Sequence, residues 1–153
     1  MIQRLHTTDN PKLKVRSHPK QQAVGMKPDG LWYGIGTAWI DWMVREGYDQ
    51  NPDWKDKHTF DIENVSSKIL ILTTTKEFLD FEREFSTRDT ILGSLYPMID
   101  WQKVADRHSG IEIQKYFREF RHSHKWYYIW DVASGCIWNA DAVVSVKKIS
   151  SAS

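Results

Sequence analysis

The chain has 153 residues, of which 41% are hydrophobic, so it can build one core but not two. With 21 basic against 20 acidic side chains and a net charge of +1, it lacks the global positive field that drives tight non-specific nucleic-acid binding. The single Cys136 excludes an internal disulfide, no apolar run reaches membrane-spanning length, and no apolar leader opens the chain. The expectation is one soluble, cytoplasmic domain over residues 1–149, with no membrane partner and a frayed tail at 150–153.

In chain order, Ile2 to Thr8 reads as a short strand. Pro11 to Pro28 is polar, basic and proline-bounded, which reads as loop; residues 1–27 hold six Lys or Arg against one acid, Asp9. Leu31 to Tyr33 reads as a strand opened by the Pro28-Asp29-Gly30 turn. Thr37 is expected to cap a helix whose Trp39, Trp42 and Met43 share one face, with Gly47 ending it. Asn51 to His58 reads as a polar loop, Thr59 to Val65 as a strand, and the Ile69-Leu70-Ile71-Leu72 run as a buried strand. Thr74 to Glu77 is a capping-box pattern, followed by a helix with Phe78, Leu79, Phe81 and Phe85 that ends near Ser86. Asp100 is expected to cap a helix through His108, stopped by Gly110. The stretch around Tyr116, Phe117 and Phe120 reads as helical, Trp126 to Val132 as a continuous strand, and Ser134-Gly135 as a turn or bulge. Cys136 to Trp138 and Ala142 to Ile149 close the chain as strands. Short strands mixed with two or three helices make the fold class α+β.

Several chemistries are excluded by spacing. Gly30, Gly34 and Gly36 match neither a phosphate loop nor a dinucleotide fingerprint. His122 and His124 stand two apart with no nearby cysteine or carboxylate cluster, so no metal site is expected. Ser134-Gly135 lacks the strand–turn–helix setting of a nucleophile elbow. Three pieces remain: Arg4-Leu5-His6-Thr7-Thr8, the Gly30-to-Trp42 strand–turn–helix, and Trp130 to Asn139. Alternation puts Arg4 and His6 on one face of the first strand. Each piece also has a structural reading: His6 as a satisfied strand residue, Trp39, Trp42 and Met43 as core, and Asp131 as an acid bonding a turn.

Taken together and in this order, the three pieces resemble the ADP-ribosyltransferase superfamily, in its poly(ADP-ribose) polymerase-like or toxin-like branch and a small bacterial or phage type. Leu5-His6-Thr7 looks like the first-strand motif, Gly30-Leu31-Trp32-Tyr33 like the aromatic strand, Trp39 or Trp42 like the helix aromatic, and Cys136 to Asn139 with Ala142 to Val144 like the last strand pair. The resemblance implies a compact split β-sheet core with two or three flanking helices. It further implies cleavage of NAD, a co-substrate, at its nicotinamide–ribose bond and transfer of ADP-ribose to a nucleic-acid or protein acceptor. A non-catalytic nucleotide- or base-binding module, or an NAD glycohydrolase, is the alternative. In this reading His6 and Thr7 hold the adenosine ribose and Arg4 the pyrophosphate, while Gly30, Leu31, Trp32, Tyr33, Trp39 and Trp42 form the nicotinamide slot. The chain departs from the family at its catalytic glutamate, where Ser134 or Gly135 falls; Asp131 is the nearest acid and Ser134 the alternative. No metal is implied.

Overall fold

The computed structural model describes residues 2–53, 58–87 and 97–151. In chain order its elements are β1 (Arg4–Thr8), β2 (Leu31–Ile35), α1 (Ala38–Arg45), β3 (His58–Val65), β4 (Ile69–Leu72), α2 (Thr75–Phe85), β5 (Ser86–Thr87), β6 (Met98–Ile99), α3 (Trp101–Arg107), β7 (Gly110–Ile113), β8 (Ser134–Ile137) and β9 (Val143–Ser151). Seven strands form one sheet in the order β4-β7-β8-β2-β1-β3-β9, and β5 pairs with β6 separately. The β4–β7 pair is parallel and the others are antiparallel. The fold is α+β, a curled multi-stranded sheet with a few flanking helices.

Apolar side chains cover both faces of the sheet. On one face an aromatic cluster joins Phe78, Phe81 and Phe85 of α2, Trp101 and Val104 of α3, and Trp126, Tyr127 and Trp130 to β7 and β8. A smaller cluster holds Leu31, Tyr33, Ile62, Ile69, Ile137 and Ala142. Strand alternation divides neighbours between the two: Cys136 and Trp138 join the first, Ile137 the second.

Local sequence signals set the helix ends. The Thr74 hydroxyl accepts from the Glu77 amide and the Glu77 carboxylate accepts from the Thr74 amide, each at 3.1 Å, which completes the expected capping box of α2. Asp100 accepts from the Lys103 amide at 3.0 Å and starts α3. At α1 the cap differs from expectation: the Thr37 hydroxyl donates to the Asp41 carboxylate at 2.8 Å and makes no bond to the helix amides. Gly47, at φ 79°, follows the end of α1 as expected.

Four expectations need correction. Residues Trp126 to Val132 are not a strand. A 3-10 turn covers Lys125–Tyr127, and the chain then bends so that Trp126, Tyr127 and Trp130 all enter the aromatic core. An unbroken apolar run indicates burial, and burial here comes from ring packing, which needs no extended backbone. Each ring's polar atom finds a partner: Trp126 Nε1 donates to Glu82, Trp130 Nε1 to the Met26 carbonyl, and the Tyr127 hydroxyl accepts from the Phe117 amide. The Tyr116–Phe120 stretch carries only a short 3-10 turn, Arg118–Phe120. Ser134-Gly135 is neither turn nor bulge but the first half of β8. Finally, β7 follows directly after α3, where only a helix stop was expected. Of the expected Asn51–His58 loop, 54–57 lie outside the described residues; β9 continues to Ser151, and 152–153 lie outside them too.

The basic Pro11–Pro28 segment is fastened to the domain. The His18 amide donates to the Trp138 carbonyl, Gly25 bridges to Ile99, and Trp101 Nε1 donates to the Gly25 carbonyl. Among the described residues no helix is long and apolar enough to cross a membrane.

Candidate functional site

The centre of the sheet brings the three remote sequence pieces together. β2 lies between β8 and β1, so Gly34 faces Leu5 on one side and Ser134 on the other. The chain then turns through Gly36, at φ 57°, into α1. A Cβ on Gly34 would stand 2.8 Å from Trp39 Cβ, so the bare backbone there lets α1 pack directly on β2. The gap between these elements is a cavity of about 320 Å³. β1 contributes Leu5, His6 and Thr7 to its wall, β2 contributes Trp32, Tyr33 and Gly34, and α1 contributes Trp39. Asp131, Val132 and Ser134 close it from the β8 side, and Lys27 completes the lining.

His6 Nδ1 lies 2.6 Å from the Trp32 carbonyl oxygen. A carbonyl only accepts, so Nδ1 carries the proton, and in the neutral form of the ring Nε2 is the acceptor. This arrangement suits a ligand hydroxyl. Ser134 is buried and its hydroxyl donates to the Val132 carbonyl at 3.0 Å, leaving its oxygen able to accept. Asp131 sits in the bend before β8 and pairs with Arg121 at 3.3 Å, with both side chains part-exposed. Trp39 stacks on Trp42, with centroids 4.9 Å apart and planes 16° apart. Trp32 meets Trp130 edge-on at 5.0 Å and donates from Nε1 to the Pro28 carbonyl. Lys27 Nζ hangs 5.0 Å over the Trp32 ring. Burial lowers the Lys27 pKa, against the opposing pull of Asp131 and Cys136.

No family model, curated protein or solved structure matches this chain. The chemistry of the site therefore rests on its own residues.

Behind the cavity wall lies a charged group that the sequence pattern did not reveal. Glu112, in the middle of β7, is fully buried. It accepts from Arg4 Nε at 2.5 Å, from the Tyr33 hydroxyl at 2.9 Å and from Gln114 Nε2 at 2.6 Å. β8 and β2 separate β7 from β1, a flat-sheet distance of about 14 Å. Arg4 and Glu112 meet across that span because the sheet curls. Burial works against the Arg4 charge, but Glu112 outweighs it and the guanidinium pKa is raised. The Tyr33 phenol is pushed well above its ordinary value, first by burial and then by the Glu112 charge. Tyr33 reaches Glu112 across Gly135, where an added Cβ would stand 2.5 Å from the phenol oxygen.

Of the expected site residues, His6, Thr7, Trp32, Tyr33, Trp39, Asp131 and Ser134 line the one cavity. Four do not. Arg4 turns to Glu112 and is nearly buried, so the strand face it was expected to share with His6 does not bring it to the cavity. Leu31 belongs to the smaller core cluster. Gly30 serves close packing, since a Cβ there would stand 2.4 Å from the Ile137 carbonyl. Trp42 backs Trp39 from behind. Two residues were overlooked, Lys27 and Glu112. Lys27 ends the basic segment, one turn ahead of the aromatic strand; Glu112 stands as a lone acid between Ile111 and Ile113, which is the pattern of a buried, partnered charge.

Proposed function

We propose that the cavity binds NAD and that the chain is an ADP-ribosyltransferase acting on a macromolecule, with the sheet as an ADP-ribosyltransferase-like core. One observation carries the reading: His6, Trp32 with Tyr33, Trp39 and Asp131 with Ser134, spread over 129 residues of sequence in the order of the family's motifs, line a single cavity. At about 320 Å³ the cavity is at the small end of ligand sites, fitting a ring and its ribose with the rest of a dinucleotide across the mouth.

In this reading the faces of Tyr33 and Trp39 hold nicotinamide, and the His6 Nε2 lone pair accepts from a ribose hydroxyl. As the nicotinamide–ribose bond breaks, positive charge builds on the ribose as an oxocarbenium ion. The Asp131 carboxylate stabilises that charge, and the Ser134 oxygen accepts from a nearby hydroxyl. Nicotinamide leaves neutral with the electron pair of the broken carbon–nitrogen bond, the acceptor's nucleophile bonds to the freed ribose carbon, and the nucleophile's proton passes to solvent. The basic tract Arg118 to Lys125 favours a phosphate-bearing acceptor less than its composition suggests. Arg121 pairs with Asp131, so part of the tract's charge is used within the fold.

A second reading, a nucleotide-binding module without turnover, is favoured by the Arg121–Asp131 pair, which already neutralises the acid. Labelled NAD incubated with the protein and cell lysate separates these. Transfer predicts released nicotinamide and label that is lost to protease or nuclease; a glycohydrolase gives free ADP-ribose alone. Asp131→Asn is expected to lower nicotinamide release about 100-fold with NAD affinity nearly unchanged. NAD binding without nicotinamide release would select the binding module, and absence of NAD binding would overturn both readings.

A further inference from the structure

The cavity has its own cation. Lys27 Nζ sits over the Trp32 ring and, among the described residues, has no hydrogen-bond or ion-pair partner. Asp131, the acid on the same wall, is held by Arg121. Lys27 and Asp131 are the cation and the acid of the cavity lining; Arg121, outside that lining, takes the ion pair with Asp131, so Lys27 makes no ion pair of its own. The Lys27 backbone is fixed by its surroundings: the preceding Met26 carbonyl accepts from Trp130, and the following Pro28 carbonyl accepts from Trp32. The ammonium lies on the Trp32 face, and the residue is half-buried. Burial lowers its pKa, and the Asp131 charge opposes that shift only in part.

From this geometry we infer that Lys27 is the phosphate-binding residue of the cavity, so that the ligand class is a phosphate ester of a nucleoside rather than a free base or nucleoside. This inference deepens the proposed NAD site and rests on it for the choice of nucleotide. It also gives the bound ligand a direction. The Trp32 face is shared with the lysine cation, which repels a pyridinium ring; the phosphate lies at the Lys27 end and the flat ring on the Trp39 and His6 side.

Isothermal titration of ADP and of adenosine tests it without any turnover. Wild-type protein should bind ADP at least about tenfold more tightly than adenosine, the value of a charge-assisted contact. Lys27→Met should bring the two ligands to within about twofold by weakening ADP, and Lys27→Arg should keep most of the preference. Raising salt should weaken ADP binding to the wild type and not to Lys27→Met. A wild type that does not distinguish the ligands, or binds neither, overturns the inference, as does a Lys27→Met variant that keeps the preference. If the preference depends on Lys27 but NAD yields no nicotinamide, this inference stands and the transferase reading falls; if NAD is cleaved and Lys27→Met keeps the preference, the reverse holds.

Discussion

Replacing Glu112 with alanine would remove the acceptor for three groups at once: the Arg4 guanidinium, the Tyr33 phenol and the Gln114 amide. The Arg4 side chain is only 11% exposed and Glu112 is not exposed at all, so the guanidinium would be left in a poorly solvated site without its counter-ion. Breaking such a buried pair from one side costs about 3–5 kcal/mol. The phenol and the amide are oriented by the same carboxylate, so their losses overlap with this figure rather than adding to it. Domains of this size are stable by about 5–15 kcal/mol, so Glu112→Ala should remain folded with a much reduced margin. Urea unfolding should give a lower midpoint at unchanged slope, and the melting temperature should fall by about 6–20 °C. The control is Arg4→Met with Glu112→Leu, which removes both charges and should cost clearly less than Glu112→Ala alone. A loss below about 1 kcal/mol for Glu112→Ala would refute the reasoning, as would a double variant that is the less stable of the two.

Further outcomes follow from the same geometry. Gly135→Ala should destabilise the fold by about 1–3 kcal/mol in urea unfolding, because the new Cβ meets a Tyr33 ring that Glu112 holds in place. The Tyr33 phenol has a folded pKa well above 10.0, so its contribution is complete below about pH 10 and is lost as pH rises beyond it, where only the unfolded chain releases the proton. Between about pH 10 and 11, Tyr33→Phe should therefore lose stability less steeply than wild type by about 1 kcal/mol over that unit; equal slopes would mean that the phenol is not buried as described. Thr74→Ala should cost about 1 kcal/mol in thermal unfolding by removing the acceptor for the Glu77 amide, with no change in ligand binding.

The features legible in the sequence are those set within a few residues of themselves. Thr74 and Glu77 specify their capping box wherever α2 lies, and Asp100 does the same for α3. Trp32, Tyr33 and Trp39 fall on one strand–turn–helix whose turn is marked by glycines: Gly34 lets Trp39 approach closely, and Gly36 takes the positive φ of the turn. Distant partners were harder to read. The place of β7 between β4 and β8 depends on pairings such as Glu112 with Gly135 and Ile71 with Glu112, and a four-residue strand carries little pattern of its own. Arg4 illustrates the limit most clearly. Its residue type and strand face suggested a phosphate contact, and only the curl of the sheet reveals Glu112 as its partner. The run from Trp126 to Val132 misled for a different reason, since its apolar residues indicate burial without indicating backbone conformation.

The centre of the sheet is made from the two ends of the chain: Leu31 to Gly34 pair with Ile137 to Ser134, about a hundred residues away. Closing so long a loop has an entropic cost that no local element offsets, which gives the fold a high contact order and places it among slower-folding domains. The ligand cavity straddles this seam, so it cannot assemble in one half of the chain before the other arrives. Amide hydrogens along β2 and β8 should exchange only through global opening, and a nucleotide bound between them should slow that exchange across both strands together.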